Sequence, residues 1–185
     1  MTQACFALLD DASAADPRHA RSRLYSAHVG TLACADAAGW PQVLADMQAA
    51  LARGLFAVPV LAYELGSALM GIAAHRADGP LAQVLLFERC EHLAPSEVAA
   101  WLAERAAACA TPAGIAAVHA NIDQDQFTRA LGAIHAYIEA GHTYQVNYTY
   151  RLRFDAFGSL YALYARLRAR QPVPYGALVG LPDGG

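Results

Sequence analysis

Charge is in short supply in this sequence. Only 16% of its 185 residues are charged, against 56% hydrophobic, where soluble proteins usually carry about a quarter charged. Much of the apolar content is alanine, which suits tightly packed helices better than membrane spans. Long apolar runs are missing too. The stretch 55–63 is broken by Pro59 and falls short of the ~20 residues a membrane-crossing helix needs. Asp10 and Asp11 interrupt the start of the chain, so no basic segment followed by an apolar one marks a secretory leader. The expected compartment is the cytoplasm, with no membrane partner.

A basic block is equally absent. Net charge is −3, and the cluster Arg166, Arg168 and Arg170 is too small for a nucleic-acid footprint. These arginines close a predicted helix, where cations complement the helix dipole. Cys5, Cys34, Cys90 and Cys109 are far apart and form no CxxC pair, which reads as buried free thiols in a reducing compartment rather than disulfides or a zinc site. GxSxG, P-loop, GxGxxG and HExxH motifs are all missing. His135 and His142 are seven apart with a helix end expected between them, so they predict no shared metal face. Asp10-Asp11 could be paired carboxylates for acid–base work, but a solvated strand end is the plainer reading. Glu64 is either a lone polar group at a core edge or a carboxylate at a helix start.

What is present is a mixed series of elements. Strands are expected over 5–9, 21–30, 56–63, 82–89 and 115–120, with a loop at Asp16-Pro17-Arg18. Pro59 counts against the third strand. Helices are expected over 41–53, with Pro41 in its first turn and Gly54 as its stop, and from Pro95 to about 108. The clearest helix covers 121–141. Asp123 and Gln126 have capping-box spacing, Phe127, Leu131, Ile134 and Ile138 recur at helical period, and Gly141 supplies the stop. A helix over 158–170 and a strand over 175–181 complete an α+β pattern.

Between the last two helices lies GHTYQVNYTYRLRF (141–154). Apolar residues take alternate positions from Tyr144 to Phe154, which predicts a strand with Gln145, Asn147 and Thr149 together on its second face. That face is either the exposed side of a sheet or the lining of a cleft. The ending Pro-Asp-Gly-Gly at 182–185 signals a hairpin turn, and the expectation is that the chain is a fragment or a gene product cut short.

Three stretches carry a family resemblance: YIEAGHTYQVNYTYRLRF (137–154), SLYALYARLRARQPVPYGALVGLPDG (159–184) and, more loosely, FALLDDA (6–12) with SRLY (22–25); VLAYELG (60–66) adds to them. Together they resemble the N-terminal part of the chorismate-using enzymes, in particular the aminodeoxychorismate synthase component I branch, whose close relative is anthranilate synthase component I. His142 stands where that family usually has Asp, and Gln171 where Asn is common.

The resemblance implies an incomplete part of a two-sheet β-sandwich flanked by helices, with residues 1–185 forming the N-terminal portion of one larger domain. It implies chorismate as substrate, a glutamine amidotransferase subunit as ammonia source, and Mg2+ held by glutamates of a C-terminal half. That half also carries the family's catalytic lysine segment. No catalytic residue and no metal ligand is therefore expected in this chain, which should be inactive alone. The resemblance also implies an effector pocket for a tryptophan-like ligand, at Asp10, Asp11, Pro174, Tyr175 and Gly176. On this view Gln145, Asn147 and Thr149 support a buried network between sheets. The competing expectation is a stand-alone effector-binding module without catalysis.

Overall fold

The computed structural model of the protein describes residues 5–13, 21–73, 77–108 and 112–182. The expected loop at 16–18, Cys109 and the final three residues of the Pro-Asp-Gly-Gly turn lie outside them. The chain divides into two compact units, residues 1–101 with 165–185, and residues 102–164.

The first unit is built on an antiparallel five-stranded sheet of order β3-β4-β2-β1-β7, formed by β1 (Phe6–Asp10), β2 (Ser22–Cys34), β3 (Phe56–Leu61), β4 (Ala82–Leu93) and β7 (Gly176–Gly180). Its order explains two features of the sequence. Pro59 is tolerated because β3 is an edge strand, where a missing N–H breaks no ladder on the open side. Four successive residues, 84–87, are buried because β4 is covered on both faces. Val84 and Leu86 join Cys34, Val43, Ala50 and Leu65 in one cluster, under α1 (Trp40–Ala52) and α2 (Glu64–Leu69). Leu85 and Phe87 join Ala7, Tyr25 and Val58 in another.

In this unit three elements differ from expectation. β2 runs on to Cys34, and a register shift between His28 and Gly30 lets one long strand stay paired with β4. β4 likewise continues to Leu93. The short helix α2 was not expected as an element, although Glu64 does occupy its first turn. Of the thiols, Cys34 is buried while Cys5 and Cys90 are half-buried, all three free.

In the second unit, β5 (Gly114–Ala120) pairs antiparallel with β6 (Leu152–Phe157), and α4 (Gln124–Glu139) connects onward from β5. The boundary between the units falls within α3 (Pro95–Ala107) and α5 (Leu160–Arg170). The expected capping box forms: Asp123 accepts from the Gln126 N–H at 2.7 Å, and Gln126 accepts from the Asp123 N–H at 2.9 Å. Gly141, at φ 72°, ends the helix. Its N–H reaches the Ile138 carbonyl and the His142 N–H reaches that of Tyr137, which is a Schellman closure.

The strand expected over 144–154 starts only at Leu152. Its partner β5 ends at Ala120, and Asn121 closes the ladder by bonding both the N–H and the carbonyl of Arg151. Residues 144–151 lie beyond that clamp, and among the described residues no strand pairs with them. Alternation survives without pairing: Gln145 donates to Asn147 at 3.1 Å on one side, and the rings of Tyr148 and Tyr150 each lie 5.9 Å from that of Phe127 on the other.

Candidate functional site

The site forms where β1, β2 and β7 end together. Register sets Arg23 of β2 opposite Leu9 of β1, Leu9 opposite Ala177 of β7, and Asp10 opposite Gly176. Just past these pairs the chain leaves β1 at Asp11 and enters β7 from Pro174 and Tyr175. The Ala12 N–H donates to the Val173 carbonyl at 2.9 Å, which ties the two loops together. A cavity of about 440 Å³ opens there, lined by Asp10, Asp11, Pro174, Tyr175 and Gly176 together with Leu9, Arg21, Arg23 and Ala177. The five positions named from the resemblance, widely separated in sequence, thus border one cavity.

Within it the two carboxylates differ. Along β1, Asp10 shares a face with Phe6 and Leu8, and Leu9 shares the opposite one with Ala7. The Asp10 side chain is 1% exposed. Its Oδ2 accepts from Arg168 Nε at 2.7 Å and its Oδ1 from the Ser22 hydroxyl at 3.1 Å. Ser22 Oγ in turn accepts the Asp11 N–H at 3.0 Å. Asp11 is held by its own loop, Oδ1 accepting from the Ser13 N–H and hydroxyl at 3.2 and 2.8 Å. Neither residue is the solvated strand end that the sequence suggests, for Asp10 is 3% and Asp11 6% exposed. Tyr175, by contrast, is 86% exposed.

Arg168 was expected only to complement a helix dipole. Its guanidinium instead reaches a buried carboxylate and donates to the Pro95 carbonyl at 3.4 Å. Ser22, Arg21 and Arg23 were likewise not singled out. The available signal was the acidic pair itself, since a buried carboxylate demands a cation, but which cation depends on tertiary pairing.

The other candidate positions gather no comparable site. Gln145, Asn147 and Thr149 are all exposed, and among the described residues of their unit no strand pairs with that segment. His142 lies against the Tyr137 ring at 5.9 Å. A cavity of about 200 Å³ beside Asp123 and Phe127 has its carboxylate committed to the helix cap. Among the described residues no group of three or more His, Cys, Asp or Glu side chains could hold a metal ion, so those residues do not fit a magnesium site. No helix among them is long and apolar enough to cross a membrane.

A curled antiparallel sheet with helices and a charged cavity at its strand ends mark an α+β protein with a candidate small-molecule site. More particularly, the chain belongs to the chorismate-binding enzymes: the family described as "chorismate binding enzyme" matches residues 9–185. Chorismate is thus the substrate its family uses. No curated protein and no solved structure matches the chain.

Proposed function

We propose that the chain is the N-terminal part of an aminodeoxychorismate synthase component I. In the intact protein, ammonia from a glutamine amidotransferase subunit replaces a hydroxyl of chorismate, giving 4-amino-4-deoxychorismate for para-aminobenzoate and folate synthesis. The observation that carries this reading is the family match over 9–185. LLDDA and QVNYT favour the para-aminobenzoate branch over anthranilate synthase component I. Residues 1–185 then form one portion of a larger domain whose two sheets stack as a sandwich.

The chemistry belongs to residues outside this portion. Magnesium there would supply charge stabilisation for the substrate. The 185 residues contain no lysine, all thirteen of the Lys and Arg positions being arginine, so this portion cannot supply the family's catalytic lysine. Isolated, the chain leaves chorismate unchanged. Incubation with chorismate, magnesium and ammonium, followed by chromatography, should give no amino product; turnover would contradict the proposal.

The portion in hand binds an effector in the cavity at the end of β1. Asp11 offers a carboxylate to an ammonium group, while Pro174, Tyr175 and Gly176 offer a wall to an indole-like face. That cavity also favours a second reading, a stand-alone tryptophan- or effector-binding module. The gene downstream of the Gly185 codon separates the two: further coding sequence with a lysine- and glutamate-bearing half supports the enzyme, a native stop the module.

A further inference from the structure

We propose that the chain forms a two-fold dimer in which the free edge of β6 pairs antiparallel with β6 of a second copy, in a register centred on Phe154. Among the described residues β5 and β6 form a two-stranded ribbon. Two strands alone are marginal, and three or more with an apolar face make a stable sheet. All six residues of β6 are exposed, Leu152 at 55% and Phe154 at 50%. The two outer edges of the ribbon are not equivalent. β5 carries a register shift between Ala116 and His119, with Ala117 at φ 50°, and such a bulge blunts an edge against further pairing. β6 passes the same pairs without an extra residue and holds no proline.

Backbone direction fixes what β6 offers. Arg151 turns both its N–H and its carbonyl to Asn121, on the β5 side. With period two, Arg153 and Asp155 do the same, while Leu152, Phe154 and Ala156 point theirs to the open edge. Charge then selects the register. Arg153 and Asp155 flank Phe154, both are exposed, and neither is ion-paired among the described residues. A two-fold at Phe154 sets Arg153 of each copy opposite Asp155 of the other and uses every outward group of both strands. Opposite charges and paired aromatic rings across a ladder stabilise it. Moving the two-fold by one residue sets Arg153 against Arg153 or Asp155 against Asp155, and moving it to Leu152 sets Arg151 against Arg153; like charges directly opposite are destabilising. A second copy of this chain is therefore the occupant whose charge pattern the edge matches, and it completes a four-stranded sheet.

Sedimentation velocity of the 185-residue chain over a concentration series should show a monomer–dimer equilibrium. Arg153→Asp and Asp155→Arg each set like charges opposite one another at both seam positions, and each should weaken dimerisation about tenfold or more. The double exchange, Arg153→Asp with Asp155→Arg, is again self-complementary and should return to within about threefold of the parent. Mixing the two single variants should give a heterodimer, since one presents two carboxylates and the other two guanidiniums. Unspecific apolar association would ignore these charges, and a fold damaged by either exchange would not be repaired by mixing. If a single variant does not fold, cross-linking decides. Residues that face each other in a hydrogen-bonded pair have Cα atoms about 5.5 Å apart, within disulfide reach. Phe154→Cys should therefore cross-link to its own copy on oxidation. Ala156→Cys, about 13 Å from its copy in this register, should not, and neither should the parent with its four cysteines. A parent that stays monomeric, dimerisation unchanged in the single variants, no recovery in the double exchange or the mixture, or equal cross-linking at 154 and 156 overturns the inference.

Discussion

A carboxylate with 1% of its side chain exposed is stable only when its charge is cancelled, and for Asp10 the cancelling group is 158 residues away in sequence. Removing one partner leaves the other buried and uncompensated. Asp10→Ala or Arg168→Ala should therefore each lower stability by about 3–5 kcal/mol in urea denaturation, while Asp10→Leu with Arg168→Met should recover most of the loss. Cys5 gives a pH-dependent test. Burial pushes its thiol up, so the folded chain disfavours the thiolate. Its stabilising effect is present below the ordinary thiol pKa and lost as pH rises through the higher folded value. Alkylation of Cys5 should be slower in the native chain than in urea at the same pH. At this scale the sequence exposes residue types but not partners. Asp10-Asp11 is visible as an unusual pair at a strand end, whereas Arg168 looks like any cation near a helix end.

Local rules explain the elements where neighbours in sequence decide the outcome. The Asp123–Gln126 box and the Gly141 closure are legible because each needs only residues within one helical turn. Asp123→Ala should cost about 1 kcal/mol in thermal or urea unfolding, and Asp123→Ser should recover most of it. Where pairing decides, the sequence is less informative. Alternation from Tyr144 to Phe154 is real, yet only residues from Leu152 onward have a ladder partner, because β5 ends at Ala120. The same limit hid the continuation of β2 past Gly30. A bulge keeps that strand in register with β4, and no residue pattern within β2 announces it. Pro59 shows the reverse case, a penalty that sheet position removes.

Across the molecule, apolar surface is abundant: Tyr144 is 92% exposed, and Tyr150, Leu152, Phe154 and Phe157 each between 47% and 55%. Exposure of this kind favours association, and residues 145–151, in no strand among the described residues, offer backbone groups to another chain. The isolated chain should therefore self-associate with rising concentration in sedimentation velocity, and Tyr144→Lys with Phe154→Lys should reduce it. The α+β class was legible from mixed periodicities, and the cavity's composition only through family resemblance, since its lining comes from both ends of the chain. Its charge balance was not legible, because cancellation of Asp10 depends on a contact made only in the folded state. Calorimetric titration of tryptophan into the chain, repeated with the Asp11→Ala, Tyr175→Ala variant, tests the central claim most directly. Saturable heat from the parent, lost in the variant, is the predicted result; no heat from the parent, or equal heat from both, would contradict it.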